Sequence, residues 1–342
     1  MDAMSERLYS KTDAEKVLGF SGSRQTLLNL DKANKIPSPI QKTKGKRKLL
    51  YWRQSDLPKL GSKIGFLKSP ERLVIFCTFT EKGGVLKSTF TYTFARTLAL
   101  CGMKVLIIGL ESQGSITHLA LNPMIESIED IVKYPNVYDL FLNKIIHGTV
   151  PRSFEEIVRP TTLENLHIIP ENERLKGLKT DLAAKQMRHT YFANYLLPEI
   201  TKRNYDVVLF DNGSDWNLHL ENALFMSDFV LSPIGCDPGT YQANDLNSDS
   251  VIDFGDLVNK KWKRFFTIPT LKENNKVSTQ IYGSYLSQYA DTIIQSPIRR
   301  LVAGTESFVL GLTPAEYSPN SPLAEDYRSC FSEIWSQVLM TK

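Results

Sequence analysis

The 342-residue sequence predicts an α/β fold, a mostly parallel sheet flanked by helices, entered through a small N-terminal unit of different make. Three observations predict it. From Arg72 onward, short apolar runs alternate with helix-length segments, the pattern of parallel strands joined by crossover helices. One such run, "RLVIFCTF", empties into "TEKGGVLKST", a glycine-bearing loop with two lysines that leads into a helical pattern. Charge is also unevenly divided: residues 1–70 hold 15 Lys and Arg against 6 Asp and Glu, while the remainder is mildly acidic.

The N-terminal unit is expected over 1–60. Thr12 is a plausible N-cap, Ala14, Val17 and Leu18 lie at helical spacing, and Gly19 is a stop. A second helix carries Thr26, Leu27, Leu30 and Ala33 on one stripe and ends before Pro37. Two short helices joined by a glycine-containing turn form a helix-turn-helix pattern. "IQKTKGKRKLLYWR" then reads as a hairpin, so the unit is a winged helix-turn-helix domain. Residues 41–53 carry six basic residues and no acid. Residues 61–71 read as a linker, and 72–342 as the α/β domain.

Within that domain "KVLIIGL", "NLHIIP", "YDVVLFD", "DFVLSPI" and "RFFTIP" are the later strands, and "LAEDYRSCFSEIWSQVL" is an amphipathic helix. Composition fits a soluble globular protein: 42% hydrophobic and 23% charged. No apolar run nears the roughly 20 residues of a membrane span, and "MDAMSERLYS" lacks a signal peptide's apolar region. A cytoplasmic location is expected. Four scattered cysteines and five dispersed histidines give no disulfide framework and no zinc-ligand spacing.

The loop is the strongest functional signal. A buried strand runs into it and a helix runs out, so Lys87 and Ser88 sit at a helix N-terminus, where unpaired N–H groups and the helix dipole favour phosphate. Gly83 and Gly84 allow close backbone approach to an anion. Lys87 would contact β- and γ-phosphates, and the Ser88 hydroxyl would ligate Mg²⁺. Asp211, ending "YDVVLFD", is the right chemistry for a carboxylate near that ion.

K-G-G-x-x-K-[ST], here Lys82 to Ser88, resembles the deviant Walker A motif of the ParA/MinD group of P-loop ATPases. "VLIIGLESQGSIT" resembles the family's D-x-D-P-Q-G segment, and "LENLHIIPENERL" and "YDVVLFDNGSD" fill the next slots in order. With its N-terminal helix-turn-helix the chain is most similar to the large SopA-like plasmid-partition ATPases. The resemblance implies a P-loop NTPase fold binding ATP or ADP with Mg²⁺. Lys82 would reach across a nucleotide-sandwich homodimer, and Gly83, Gly84, Val85, Leu86, Lys87, Ser88 and Thr89 would hold the nucleotide. Ser88 and Asp211 would ligate the metal, Glu111 would position the attacking water, and Gln113, Gly114 and Ser115 would form the switch. Four departures stand out: Leu86 for a glycine, Gly109 for the first aspartate, Glu111 for a shorter aspartate, and Asn212-Gly213-Ser214 for a small-Ala-Pro stretch.

The resemblance also implies two kinds of DNA contact and a centromere-binding ParB-like partner. Arg24 and Gln25 would read base edges of an operator, while Lys42, Lys44, Lys46, Arg47 and Lys48 meet phosphates. Arg299 and Arg300 would bind nucleoid DNA without sequence preference, with Lys260, Lys261, Lys263 and Arg264 as a second candidate patch. The stripe Phe331, Ile334, Trp335, Val338 and Leu339 reads as a helix packed on the sheet rather than a membrane anchor, because its other face is poor in basic residues. Two functions are then compatible with the residues. One is a DNA-segregating ATPase that also represses its own operon; the other is a nucleotide-sensing repressor whose degenerate ATPase domain does not hydrolyse.

Overall fold

The computed structural model describes residues 6–44, 47–122, 128–141, 152–183, 186–241 and 247–341. At the N-terminal end, strand β1 (Leu8–Ser10) leads into helix α1 (Lys11–Val17). Helix α2 (Arg24–Lys32) follows, then strands β2 (Ile40–Lys44) and β3 (Arg47–Arg53). The strands form an antiparallel sheet in the order β1-β3-β2. Three details correct the sequence reading. The cap of α1 is Ser10, not Thr12: Ser10 ends β1 in extended backbone, so its hydroxyl can accept from the Asp13 amide. Strand β1 has only Tyr9 buried, too short for an alternation to register. On α2 Leu27 is buried and Leu30 partly so, whereas Thr26 and Ala33 face solvent.

The expected linker, 61–71, begins inside a packed helix. Helix α3 (Leu57–Ile64) crosses residue 60 and buries Leu57, Leu60, Gly61 and Ile64. Its small residues, which read as flexible in sequence, allow backbone contact: a Cβ on Gly61 would lie 1.9 Å from the Leu100 carbonyl oxygen. Leu67 is buried too, and the Trp335 indole donates to the Lys68 carbonyl (2.8 Å). Tyr9, Val17, Leu18, Trp52 and Leu57 therefore belong to one apolar core with Phe90, Phe94 and Leu98 of the larger domain.

That domain is a seven-stranded sheet in the order β10-β9-β4-β8-β5-β7-β6. The strands are β4 (Val74–Thr78), β5 (Val105–Gly109), β6 (Arg159–Pro160), β7 (Leu166–Ile169), β8 (Val207–Asp211), β9 (Phe229–Gly235) and β10 (Arg264–Thr270). All neighbours run parallel except β6 and β7, and β6, two residues long, carries no sequence signal. Helix α4 (Lys87–Leu100) is buried nearly all round, as its sequence of aromatics, Thr, Leu and Ala allows. Its Arg96 is fully buried and makes a two-pronged pair with the equally buried Glu316 (2.6 and 2.8 Å). The last helix, Pro322–Met340, packs Phe331 and Trp335 on Phe94 and buries Ile334 and Val338, while Leu339 is about half exposed. No helix among the described residues is long and apolar enough to cross a membrane.

Candidate functional site

Because β4 lies between β8 and β9, its carboxyl end opens beside those of β8 and β5, the edge where open α/β sheets take their ligands. The loop from Phe79 to Leu86 turns there and hands over to α4 at Lys87. Two residues make the turn in left-handed backbone, Gly84 (φ +78°) and Leu86 (φ +68°). For a leucine this conformation costs on the order of 1 kcal/mol, strain of the kind that functional loops retain. A Cβ on Gly83 or Gly84 would meet nothing within 4 Å, so the space beside both glycines is open. Leu86, Gly84 and Thr89 line a cavity of about 590 Å³ with Leu271 and Phe308.

Lys87 is buried to 8% exposure, and its Nζ donates to the Lys82 carbonyl across the loop (2.8 Å). Burial lowers its pKa, opposed by the carboxylates of Glu111, Asp211 and Asp215. Lys82 itself is half-buried at the rim. Val85 is buried, and Ser88 and Thr89 follow on the first turn of α4.

Asp211 ends β8 with no exposure at all. Its Oδ1 accepts from the Thr91 hydroxyl (2.9 Å), the Ser88 hydroxyl stands close enough to the carboxylate to lower its pKa, and Oδ2 is buried without a hydrogen-bond partner among the described residues. Burial pushes its pKa up to about 7, against the pull of those hydroxyls. An ionisable oxygen left bare beside a serine hydroxyl is the hard-oxygen donor set that suits a divalent cation such as Mg²⁺. Thr91, on the second turn of α4, was not among the residues the sequence pointed to.

The departures at β8 have a spatial reason. A Cβ on Gly213 would sit 3.3 Å from Glu111 Oε1, so glycine there leaves room for the longer carboxylate. Asn212 donates to the Thr78 carbonyl (3.1 Å) and ties the end of β8 to β4. Glu111 is half-buried at the exit of β5. Beyond it, Gly114 (φ +79°) precedes helix α5 (Ser115–Leu121), and Gln113 and Ser115 are exposed at the mouth. Glu171, just after β7, is fully buried and accepts the amides of Glu111 (2.8 Å) and Ile116 (3.0 Å). Burial, with Asp211 and Glu111 close by, pushes its pKa well above the usual carboxylate range. Its only trace in the sequence is a polar residue after an apolar run.

A family model described as an AAA domain matches residues 74–260, from β4 to the approach of β10 and more than half of the chain. The chain belongs to this AAA-domain family of P-loop proteins. The sporulation initiation inhibitor protein Soj of Bacillus subtilis is 26% identical over 76% of this chain and 97% of its own length. The chromosome-partitioning ATPase Soj of Treponema pallidum is 24% identical over 74% of this chain and 94% of its own. In fold the chain is similar to a Cyanothece McdA–ATP complex, with TM-score 0.63, 14% identity, and 77% and 96% of the two chains covered. This P-loop protein is thus a relative of the ParA/Soj partition ATPases, and its mostly parallel sheet is theirs.

The cationic residues fall in different surroundings. Gln25 is exposed on α2 and donates to Asn29 (2.8 Å), and Lys42, Arg47 and Lys48 are exposed on the β2–β3 hairpin. Arg24 opens α2 and Lys44 ends β2, while Lys46 lies outside the described residues. Arg299 grips Asp326 through two nitrogens (2.5 and 2.7 Å), and Arg300 lies 3.4 Å from Glu273. Both line the cavity beside Gly84 and Leu86. Lys263 pairs with Asp228 (2.9 Å), and Arg264 donates to the Asp291 carbonyl (2.9 Å), which breaks up the run around residue 260.

Proposed function

We propose that the chain is a DNA-partition ATPase of the ParA/Soj kind that binds ATP at the β4–α4 loop and forms an ATP-dependent sandwich homodimer. The observation that carries this reading is Lys87 folded back across the glycine-bearing loop beside Asp211, whose Oδ2 has no hydrogen-bond partner among the described residues. Ser88 and Asp211 would hold Mg²⁺, which supplies positive charge against the β- and γ-phosphates. Gly83 to Thr89 present amides and hydroxyls to the phosphates, and Lys87 trades the Lys82 carbonyl for a phosphate oxygen. Lys82, half-buried at the rim, would reach the partner subunit's nucleotide. Glu111 orients the attacking water, and Gln113 to Ser115 sense the γ-phosphate. Hydrolysis is slow alone and rises with a ParB-like partner and DNA, in the cytoplasm on the nucleoid.

Lys87→Ala tests the site. Loss of a charge-assisted phosphate contact, worth about 1.5–3 kcal/mol, weakens MgATP binding roughly 10- to 150-fold in calorimetry or with a fluorescent ATP analogue. Affinity equal to wild type would place the nucleotide elsewhere.

The helix pair and antiparallel hairpin of the N-terminal unit support reading it as a winged helix-turn-helix, and its exposed cations support operator binding and autorepression. Because its core is continuous with α4, substitutions in the full chain are the suitable test. Gln25→Ala costs about 1–3 kcal/mol on the operator and relaxes its sequence preference. Arg47→Ala and Lys48→Ala weaken binding to all sequences alike, each lowering the salt slope by roughly 0.9. An anisotropy titration in salt that moved specificity with Lys48 and not with Gln25 would reverse these roles. Arg300→Ala reduces ATP-dependent binding to random DNA; Arg299, held by Asp326, has the smaller effect.

The shared core also favours the second reading, a repressor in which nucleotide acts through α4 on the DNA-binding unit without turnover. Phosphate release measured with DNA and the cognate partner present separates the two.

A further inference from the structure

The residue at position 109, the last of β5, is a glycine, and the structure places the carboxylate of Glu171 in the space that a side chain there would take. A Cβ built on Gly109 would lie 2.8 Å from both Cβ and Oε2 of Glu171. Glu171 reaches that position from the neighbouring strand, since β5 and β7 pair in parallel up to Ile108 and Ile169. Its two oxygens divide their work: Oε2 accepts the Glu111 amide (2.8 Å) and Oε1 the Ile116 amide (3.0 Å). Its own amide donates to the Thr117 hydroxyl oxygen (2.8 Å). One fully buried residue thus holds both ends of the segment that carries Gln113 to Ser115.

We propose that Glu171 is a positioning residue for the switch segment, its side chain supplied from the loop after β7 in place of one at residue 109, so that Glu111 is aimed at the nucleotide through its own backbone. Two acceptor oxygens are what this geometry requires. Alanine leaves two buried amides without partners, and glutamine offers one acceptor and turns an NH₂ toward the other amide. An aspartate at 109 clashes with Glu171, but it fits once residue 171 is small. The two positions therefore form an exchangeable pair.

The inference rests on the proposed ATP site for its catalytic consequence, but not for the hold itself. The test uses the full-length chain as wild type, Glu171→Ala, Glu171→Gln, Gly109→Asp and the Gly109→Asp/Glu171→Ala double variant. Amide hydrogen exchange over 110–117 is read without nucleotide, and ATP affinity and phosphate release are read with MgATP and the partner. Glu171→Ala should speed exchange at Glu111 and Ile116 about tenfold or more, as loss of a buried acceptor predicts. Glu171→Gln, nearly isosteric, should release only one of the two amides. Hydrolysis per bound nucleotide should fall about tenfold in Glu171→Ala and in Gly109→Asp, with ATP affinity little changed. The double variant should recover to within about threefold of wild type, a departure from additivity that marks a direct pair. Unchanged exchange in both Glu171 variants, or a double variant no better than the worse single one, overturns the proposal. A wild type that binds no ATP would instead overturn the nucleotide site, while the exchange data still decide what Glu171 holds.

Discussion

Glu111→Ala should release phosphate at least about 100-fold more slowly than wild type while still dimerising with MgATP, the loss expected when a group that orients or deprotonates a nucleophile is removed. Glu111 stands half-buried at the exit of β5, with Gly213 shaped to admit its longer side chain. Its role under the proposed mechanism lies in the chemical step, whereas the phosphate contacts come from Lys87 and the loop amides. Affinity and turnover should therefore separate, and single-turnover phosphate release beside analytical ultracentrifugation reads both. Turnover equal to wild type would move the water-positioning role to another residue. Loss of ATP binding would make Glu111 part of the metal surroundings. Glu111→Asp, one methylene shorter and still a carboxylate, should retain most of the activity.

Arg96→Ala should lower stability by about 3–5 kcal/mol, because it leaves a carboxylate buried without its partner. Glu316 has no exposure, and besides Arg96 it accepts from the amide and hydroxyl of Thr313 within its own capping box. Arg96 also donates to Thr162 (2.9 Å), so one guanidinium joins the phosphate-loop helix to two distant segments. Urea denaturation followed by tryptophan fluorescence checks this, Trp335 being packed against α4. Replacing both residues, Arg96→Met with Glu316→Gln, should cost less than either Arg96→Ala or Glu316→Ala, since no charge is left stranded. A single variant within about 1 kcal/mol of wild type would mean that water reaches Glu316.

Much of the site was legible because its signals are local. Gly83, Gly84, Lys87 and Ser88 lie within six residues, and a strand and helix patterned by burial place them at a helix N-terminus without further information. Asp211 and Glu111 were readable as the ends of apolar runs, and the strands of the sheet are apolar enough to stand out singly. What was not legible depends on residues far apart in sequence. Glu171 holds amides 55 and 60 residues away, and Glu316 meets Arg96 across 220 residues. No spacing announces either. Gly61 and Ser62 looked like a flexible tether because small residues serve both for loose chain and for close contact, and composition does not say which.

By itself the sequence determined a phosphate-binding turn between a buried strand and a helix, an alternating α/β order and a basic N-terminal unit, since each follows from periodicity, backbone freedom or charge within a short window. Only the tertiary structure decided that the unit shares its core with α4, that Arg299 is held by Asp326, and that a glutamate just after β7 occupies the space beside Gly109. Strand order and the burial of charge create these pairings. They are set when distant segments are brought together and must satisfy one another's hydrogen bonds away from water.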